Sequence, residues 1–155
     1  MTLDKLFEFG AGGAKFLFEK QRVLHPMWIG ISDKGAHIPL LVHSLDDKEM
    51  VAEKIRQFLK KNQIERYVSM IECWIVEGEA VTPEALAGEP LANNPDRREA
   101  IDIFAEDKEG NTMSGRYYIL RPEHGRPKLS KLKVDKGAQS TGRFVKMFDQ
   151  PTERI

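Results

Sequence analysis

The chain has 155 residues, and its 24 basic and 24 acidic side chains cancel. This balance excludes a nucleic-acid binder that works through bulk charge, and 41% apolar residues over this length are sufficient for one folded core. The single cysteine, Cys73, excludes an internal disulfide and a cysteine-based zinc cluster. Apolar runs stay well short of the roughly 18 residues that a membrane helix needs. The composition predicts one cytoplasmic domain over residues 1–155, with no membrane segment.

The first 24 residues predict a helical segment that a glycine cluster interrupts. Thr2 is a candidate N-cap, and apolar residues recur with helical spacing on both sides of residues 10–13, Gly-Ala-Gly-Gly. The cluster does not fit a phosphate-binding loop, because its spacing differs from that motif and Phe16 follows Lys15. Since each glycine costs about 1 kcal/mol inside a helix, we expect a helix break or hinge, with two short helices or one bent helix.

Residues 26–43 predict a β-hairpin. Two strand-like segments, 26–32 and 36–43, flank an Asp-Lys-Gly sequence that tolerates a tight turn. Pro39 lies within the second segment. Because proline cannot donate a hydrogen bond to a sheet, the second arm is expected to be an edge strand or a broken strand.

Residues 44–61 predict the one long amphipathic helix of the fold. Apolar residues recur along it at helical spacing, and Ser44 or Asp46 is a candidate cap. Lysines at its C-terminal end complement the helix dipole. We expect this helix to lie across the sheet and to cover one face of the central strand.

The two most strand-like segments are 66–77 and 98–107. The first is apolar on both faces, which is typical of a central strand, apart from Glu72 in an apolar row. We expect the two to pair within an α+β fold, in which a mainly antiparallel sheet of five or six strands carries the long helix on one face and the N-terminal helical segment nearby. The rest of the chain predicts strands at 112–121, 129–134 and 143–148, loops at 78–96 and 136–142, and a frayed tail at 149–155.

Charged residues concentrate where the two central strands are expected to meet. One interpretation is an acid–base or anion-binding cluster. The other is an ion-pair network that neutralises Glu72, whose burial would otherwise be costly. No second catalytic group accompanies the cluster, so no reaction class follows. Its members, with the neighbouring indole, are Glu72, Trp74, Asp96, Arg97, Arg98 and Glu99.

Other candidate sites have simpler explanations. Cys73 lies in the middle of an apolar strand, where a free cysteine packs as a small hydrophobe instead of acting as a nucleophile. His37 and His43 would lie roughly 20 Å apart along one strand at about 3.3 Å per residue, which is too far to share a metal ion. His25 and His124 have no carboxylate or cysteine at a ligand spacing. The sequence predicts no metal and no cofactor.

The last quarter of the chain is locally basic, with Phe144 and Phe148 between the charges. This pattern favours a solvated strand face that resists aggregation. A nucleic-acid surface is the alternative interpretation. The basic residues are Lys128, Lys131, Lys133, Lys136, Arg143 and Lys146.

Residues 71–74, Ile-Glu-Cys-Trp, and residues 94–101, Asn-Pro-Asp-Arg-Arg-Glu-Ala-Ile, carry a resemblance. They resemble a pattern of uncharacterised bacterial and phage-associated small proteins, in which a Glu-x-Trp strand precedes a Pro-Asp-Arg-x-Glu strand. The resemblance covers residues 66–107 and implies no activity, substrate or catalytic residue. It directs attention to Glu72, Trp74, Asp96, Arg97 and Glu99.

Without a catalytic or cofactor signature, the sequence favours a non-catalytic binding or assembly module that recognises a protein partner or a second copy of the chain. One alternative is an enzyme of unknown class that uses Glu72 with Arg97 or Arg98. Another is a nucleic-acid binder that uses the basic C-terminal hairpins, which the balanced overall charge disfavours.

Overall fold

Two helices and seven strands form the part of the chain that the computed structural model describes, namely residues 1–75, 97–135 and 146–148. In chain order they are α1 (Leu3–Gln21), β1 (Met27–Ser32), β2 (His37–Leu41), α2 (Lys48–Lys61), β3 (Ile64–Ile75), β4 (Arg98–Asp107), β5 (Thr112–Leu120), β6 (Lys128–Leu129) and β7 (Lys133–Asp135).

The strands form one antiparallel sheet with the order β2-β1-β3-β4-β5-β6, and β7 also pairs with β5. β3 has a neighbour on each side, and its ladder with β4 runs from the Arg66–Asp107 pair to the Ile75–Arg98 pair. The predicted α+β class and antiparallel sheet are therefore confirmed. The strand number is higher than the expected five or six, because β6 and β7 are separate short strands on the same side of β5.

The first hairpin follows the prediction closely. β1 and β2 pair around a turn in which Gly35 has a φ of 82°, a value that glycine adopts without strain. β2 carries Pro39 and pairs only with β1 among the described strands, so it is an edge strand. Proline has no N–H to donate to a neighbouring strand, and such a loss is tolerated at the edge of a sheet.

Helix α1 packs on one face of the sheet and runs through the glycine cluster without a break. The expected alternative of two short helices is therefore wrong, and α1 is one continuous helix. A Cβ on Gly10 would lie 2.5 Å from Cγ2 of Val68, so this glycine lets the helix approach the central strand closely. Thr2 caps the helix as expected, because its hydroxyl oxygen accepts a hydrogen bond from the Lys5 amide.

Helix α2 packs on the opposite face, where its buried residues surround Trp28, Tyr67 and Phe104. It begins at Lys48 with Asp47 as its cap, instead of at the expected Ser44 or Asp46. The Ser44 hydroxyl accepts a hydrogen bond from the Asp46 amide and so closes a turn ahead of the helix. The expectation of a single long helix also changes, because α2 has 14 residues and α1 has 19.

Neither of these two helices, the only ones among the described residues, is both long enough and apolar enough to cross a membrane.

A buried carboxylate fastens the C-terminal turn to the sheet. Glu106 of β4 is 4% exposed and accepts hydrogen bonds from the Tyr67 hydroxyl at 2.8 Å, the Lys146 amide at 3.1 Å and the Met147 amide at 2.9 Å. Burial and the neighbouring carboxylate raise the pKa of Tyr67, so its hydroxyl stays a donor. Met147 fills the core beneath α2.

Residues 146–148 form a turn, so the described part of the predicted strand 143–148 is not a strand. Lys146 has a φ of 54°, in the left-handed region that interrupts an extended chain. This conformation aims two successive backbone amides at one carboxylate. The predicted loops at 78–96 and 136–142 and the predicted tail at 149–155 lie outside the described residues.

Replacement of Glu106 by Ala should lower the free energy of unfolding by about 3 kcal/mol, because it leaves a buried hydroxyl and two amides without their acceptor. Urea denaturation measures the change. The matched control is Glu123→Ala at an exposed position, which should be nearly neutral. Equal effects of the two substitutions would contradict the proposed role of Glu106.

Two glycines of α1 should respond in opposite directions to alanine. Gly12→Ala should raise the free energy of unfolding by about 1 kcal/mol, because alanine is the better helix former and its Cβ meets open space. Gly10→Ala should lower it by about 1–3 kcal/mol, because the new methyl overlaps Val68. Thermal and urea unfolding test both variants. Stabilisation by both would mean that α1 does not lie close to β3.

Candidate functional site

Three strand ends meet at one end of the sheet. The last residues of β3, the first residues of β4 and the last residues of β5 are neighbours because these strands alternate in direction. The register sets Trp74 opposite Glu99 and Ile75 opposite Arg98. It therefore brings together most of the described residues that the sequence selected, while Asp96 lies outside the described residues.

An arginine stacks on the exposed indole of this strand end. The guanidinium carbon of Arg97 lies 4.8 Å from the centre of the Trp74 ring. The sequence predicted that both faces of β3 would be covered. Trp74 is 39% exposed, so this coverage does not extend to the end of the strand. A guanidinium that stacks through its face carries its N–H donors at its edge, where they suit planar anions such as carboxylates.

A second stack lies on the opposite face of the sheet. The guanidinium carbon of Arg98 is 3.9 Å from the centre of the Tyr118 ring. Arg97 and Arg98 diverge because successive side chains of an extended chain point to opposite faces. The pairing of Ala100 with Tyr118 brings the phenol ring next to Arg98. Both faces of the sheet end therefore present a cation on an aromatic ring.

Glu99 forms a two-point ion pair with Arg121. Its Oε1 accepts from Nη2 at 3.0 Å, and its Oε2 accepts from Nε. The hydrogen bonds to Glu99 raise the pKa of Arg121. The sequence analysis did not include Arg121 among the site residues, although Arg121 is the last residue of the predicted strand 112–121. The register of the β4–β5 hairpin was the signal that would have found it.

Glu72 accepts a hydrogen bond from a backbone amide and also lies near Arg121, whose pKa its negative charge helps to raise. Its Oε2 accepts a hydrogen bond from the Leu24 amide at 3.0 Å, which ties the segment after α1 to β3. The predicted network of charges around Glu72 stays a prediction, and the backbone amide of Leu24 is a contact that the sequence did not indicate. The carboxylate is not among the described residues that line the groove next to Trp74.

The strand-end groove is an open cavity of about 860 Å³ at this end of the sheet. Its charged lining comprises three arginines, one lysine and one glutamate, so positive charge predominates. Leu120, which is 46% accessible, also lines the groove, and the register places it on the sheet face of Arg98, opposite to the face of Trp74. The groove is lined by Trp74, Arg97, Arg98, Glu99, Ile119, Leu120, Arg121, Pro122 and Lys128.

Cys73 is a poor nucleophile in this position. Burial and the neighbouring Asp102 carboxylate raise the pKa of its thiol to about 12. Asp102 itself accepts two hydrogen bonds from Arg116, from Nε at 2.6 Å and from Nη2 at 3.1 Å. Since the thiolate is the reactive form, the thiol stays protonated and unreactive near neutral pH.

A second cavity, of about 520 Å³, lies between α2 and the C-terminal turn. Three acidic and three basic residues line it, so its charge selects neither sign of ligand. Its polar lining includes Arg56 and Lys108. Among the described residues, no three histidine, cysteine, aspartate or glutamate side chains are grouped so that they would hold a metal ion.

Comparison with known proteins gives no match among family models, curated proteins or solved structures. The resemblance to bacterial and phage-associated proteins therefore stays a prediction.

Native Cys73 should react with iodoacetamide at pH 8 at least about a hundredfold more slowly than the urea-unfolded chain, since about one thiol in ten thousand is ionised at a pKa of about 12. Mass spectrometry follows the modification. Asp102→Asn removes the negative charge beside the thiol and should accelerate the native reaction. Equal rates for folded and unfolded protein would show that the thiol is accessible and ionised.

Proposed function

We propose that the protein is a non-catalytic binding module whose strand-end groove holds an acidic, partly apolar segment of a partner protein. The observation that carries this proposal is the combination of an exposed indole, an exposed leucine and predominant positive charge in one groove. The single cysteine is compatible with a reducing cytoplasmic setting.

The charge of the groove supports an anionic ligand. The overall chain has no net charge, so the positive groove is a local feature and not part of a general basic surface. Glu99 is neutralised by Arg121. The lining also contains Arg97, Arg98 and Lys128, and local charge of this kind favours carboxylates by steering and orienting them.

The apolar part of the groove supports a peptide as the source of those carboxylates. Trp74 and Leu120 remain about half exposed, and binding sites gain most of their affinity from such side chains when a partner removes them from water. Aromatic residues and arginine are also the residue types that most often dominate protein interfaces. A segment with both acidic and apolar side chains would satisfy both parts of the lining.

The enzyme alternative receives less support from the same geometry. It required Glu72 to act with Arg97 or Arg98, and the described contact of Glu72 is the Leu24 amide. A carboxylate that holds a backbone amide in place is a positioning group. No reaction class follows from the groove lining.

The nucleic-acid alternative also receives less support. Lys128, Lys131 and Lys133 are exposed and lie close to the groove in sequence. Phe148, however, packs against Tyr67 with ring centres 5.5 Å apart, and therefore does not interleave with the lysines as a base-stacking platform would. Phe144, Lys136 and Arg143 lie outside the described residues.

Fluorescence anisotropy with two panels of labelled peptides tests the proposal. One panel combines Asp or Glu with Leu or Phe, and the matched panel replaces the acidic residues by Lys. The acidic panel should contain ligands that bind more weakly as salt is added. Arg98→Gln with Lys128→Gln should weaken their binding about tenfold or more. Trp74→Ala should weaken it as well.

The matched control removes two positive charges from α2 instead. Lys54→Gln with Lys61→Gln changes the net charge equally at exposed positions away from the groove and should leave binding unchanged. Equal binding of both peptide panels would contradict the proposal. Tighter binding of a single-stranded oligothymidine, weakened by Lys131→Gln with Lys133→Gln, would support the nucleic-acid alternative.

A further inference from the structure

Strand β2 has an outer side that pairs with no other described strand. Hydrogen bonds at both ends of the first hairpin show which residues face inward. The Ser32 amide donates to the Ala36 carbonyl at 2.9 Å. The Val42 amide donates to the Pro26 carbonyl at 3.1 Å. Because the backbone groups of successive residues in a strand point to opposite sides, the even-numbered residues of β2 direct their amides and carbonyls toward β1.

The odd-numbered residues of β2 therefore direct their backbone groups to the outer side. These residues are His37, Pro39 and Leu41, and their side chains are exposed. His37 and Leu41 each present an N–H and a carbonyl on this side. Pro39 lies between them and presents a carbonyl alone, because proline has no N–H. The outer side of β2 thus lacks its central donor.

Other protection against strand pairing is absent from the described strand β2. Charged side chains, bulges and proline are common means by which proteins protect a sheet edge. Residues 36–42, Ala-His-Ile-Pro-Leu-Leu-Val, contain no aspartate, glutamate, lysine or arginine. The register of β2 with β1 is continuous, so no bulge turns this edge away. Apart from its proline, the segment is apolar and uncharged, as are sequences that form intermolecular sheets.

The strand partner that this edge fits is β2 of a second copy of the chain. Two β2 strands can lie antiparallel about a two-fold axis at residue 39, which sets His37 of one copy opposite Leu41 of the other. The outer amides of His37 and Leu41 would then each meet a carbonyl. The two Pro39 residues would face each other on the axis, where the central pair of hydrogen bonds cannot form.

We infer that Pro39 prevents the β2 edge from joining the sheet of a second copy. In such a pairing the two central carbonyls would leave water without gaining a donor, which is unfavourable. Any other residue at position 39 would supply both missing donors and make the outer side of β2 self-complementary. This inference is independent of the ligand proposed for the strand-end groove, because it concerns the opposite edge of the sheet.

Sedimentation equilibrium of the full chain tests the role of the missing donor. Pro39→Val should lower the dissociation constant of a dimer about tenfold or more relative to wild type, because it adds both central hydrogen bonds. Leu41→Val is the matched control, since it adds the same side chain to the same edge without a new donor, and it should associate as wild type does. Pro39→Ala adds the donor with a smaller side chain and should associate more tightly than wild type.

Circular dichroism and urea unfolding verify that these variants are folded. Wild-type association of both folded position-39 variants would overturn the inference. Equal tightening by Leu41→Val would overturn it as well, because apolar strand character and not the N–H would then control association.

Charged substitutions at the same position locate the contact. Pro39→Lys and Pro39→Glu each supply the N–H, but the two-fold axis sets equal charges directly opposite each other. Each variant alone should therefore associate no more tightly than wild type. An equimolar mixture of the two variants should form a mixed dimer, which native mass spectrometry resolves by mass. If the mixture fails to associate although Pro39→Val dimerises, the proposed edge contact is wrong.

Amide hydrogen exchange tests the wild-type edge directly. The amides of Ile38 and Leu40 face β1 and should exchange slowly. Those of His37 and Leu41 face the outer side and should exchange at least about tenfold faster. Slow exchange at both outer amides would mean that this side of β2 is already paired, and would overturn the inference.

Discussion

The ladder between β3 and β4 is the constraint on which the rest of the structure depends. Its antiparallel register sets Trp74 opposite Glu99 at one end and Tyr67 opposite Glu106 toward the other. Because side chains alternate between faces, a slip of one residue would move the buried rows of both strands into water and the polar rows into the core. The groove at one end and the buried carboxylate toward the other therefore follow from one pairing.

The two helices cover the middle of this ladder. At its Trp74 end, the side chains pack on one another through the Arg97–Trp74 stack and the Glu99–Arg121 ion pair. An exposed cation–π contact contributes about 0.5–1 kcal/mol, and an exposed ion pair such as Glu99 with Arg121 contributes up to about 1 kcal/mol. These contacts stabilise the fold only slightly compared with the buried core. The side chains of the groove are thus available for a role in binding at a small cost in stability, whereas Glu106 is not.

Local patterns predicted the elements that local chemistry determines. The hairpin turn before Gly35 and the edge position of Pro39 each depend on neighbouring residues, and each was predictable. The pairing of the two central strands was predictable for another reason, namely the strongly strand-like composition of both segments. The continuity of α1 was not predictable, because the reason for a glycine at position 10 is its close packing against Val68 of β3. The partner of Glu72 was not either, because the Leu24 amide lies 48 residues away in sequence. Groups that only the tertiary fold brings together escaped the sequence reasoning.

Glu72 illustrates how the fold turns a chemically suggestive residue into a structural one. A hydrogen bond to a charged acceptor contributes about 1.5–3 kcal/mol, and this one fastens the segment that leaves α1 to the strand that carries Trp74. The carboxylate thereby links the segment after α1 to the strand end that forms the groove. A reactive carboxylate would have to face the groove that Arg97 and Lys128 line, and Glu72 is not among the described residues of that lining. The proposed recognition of a partner's carboxylates therefore rests on the cationic lining of the groove and on the absence of Glu72 from that lining among the described residues.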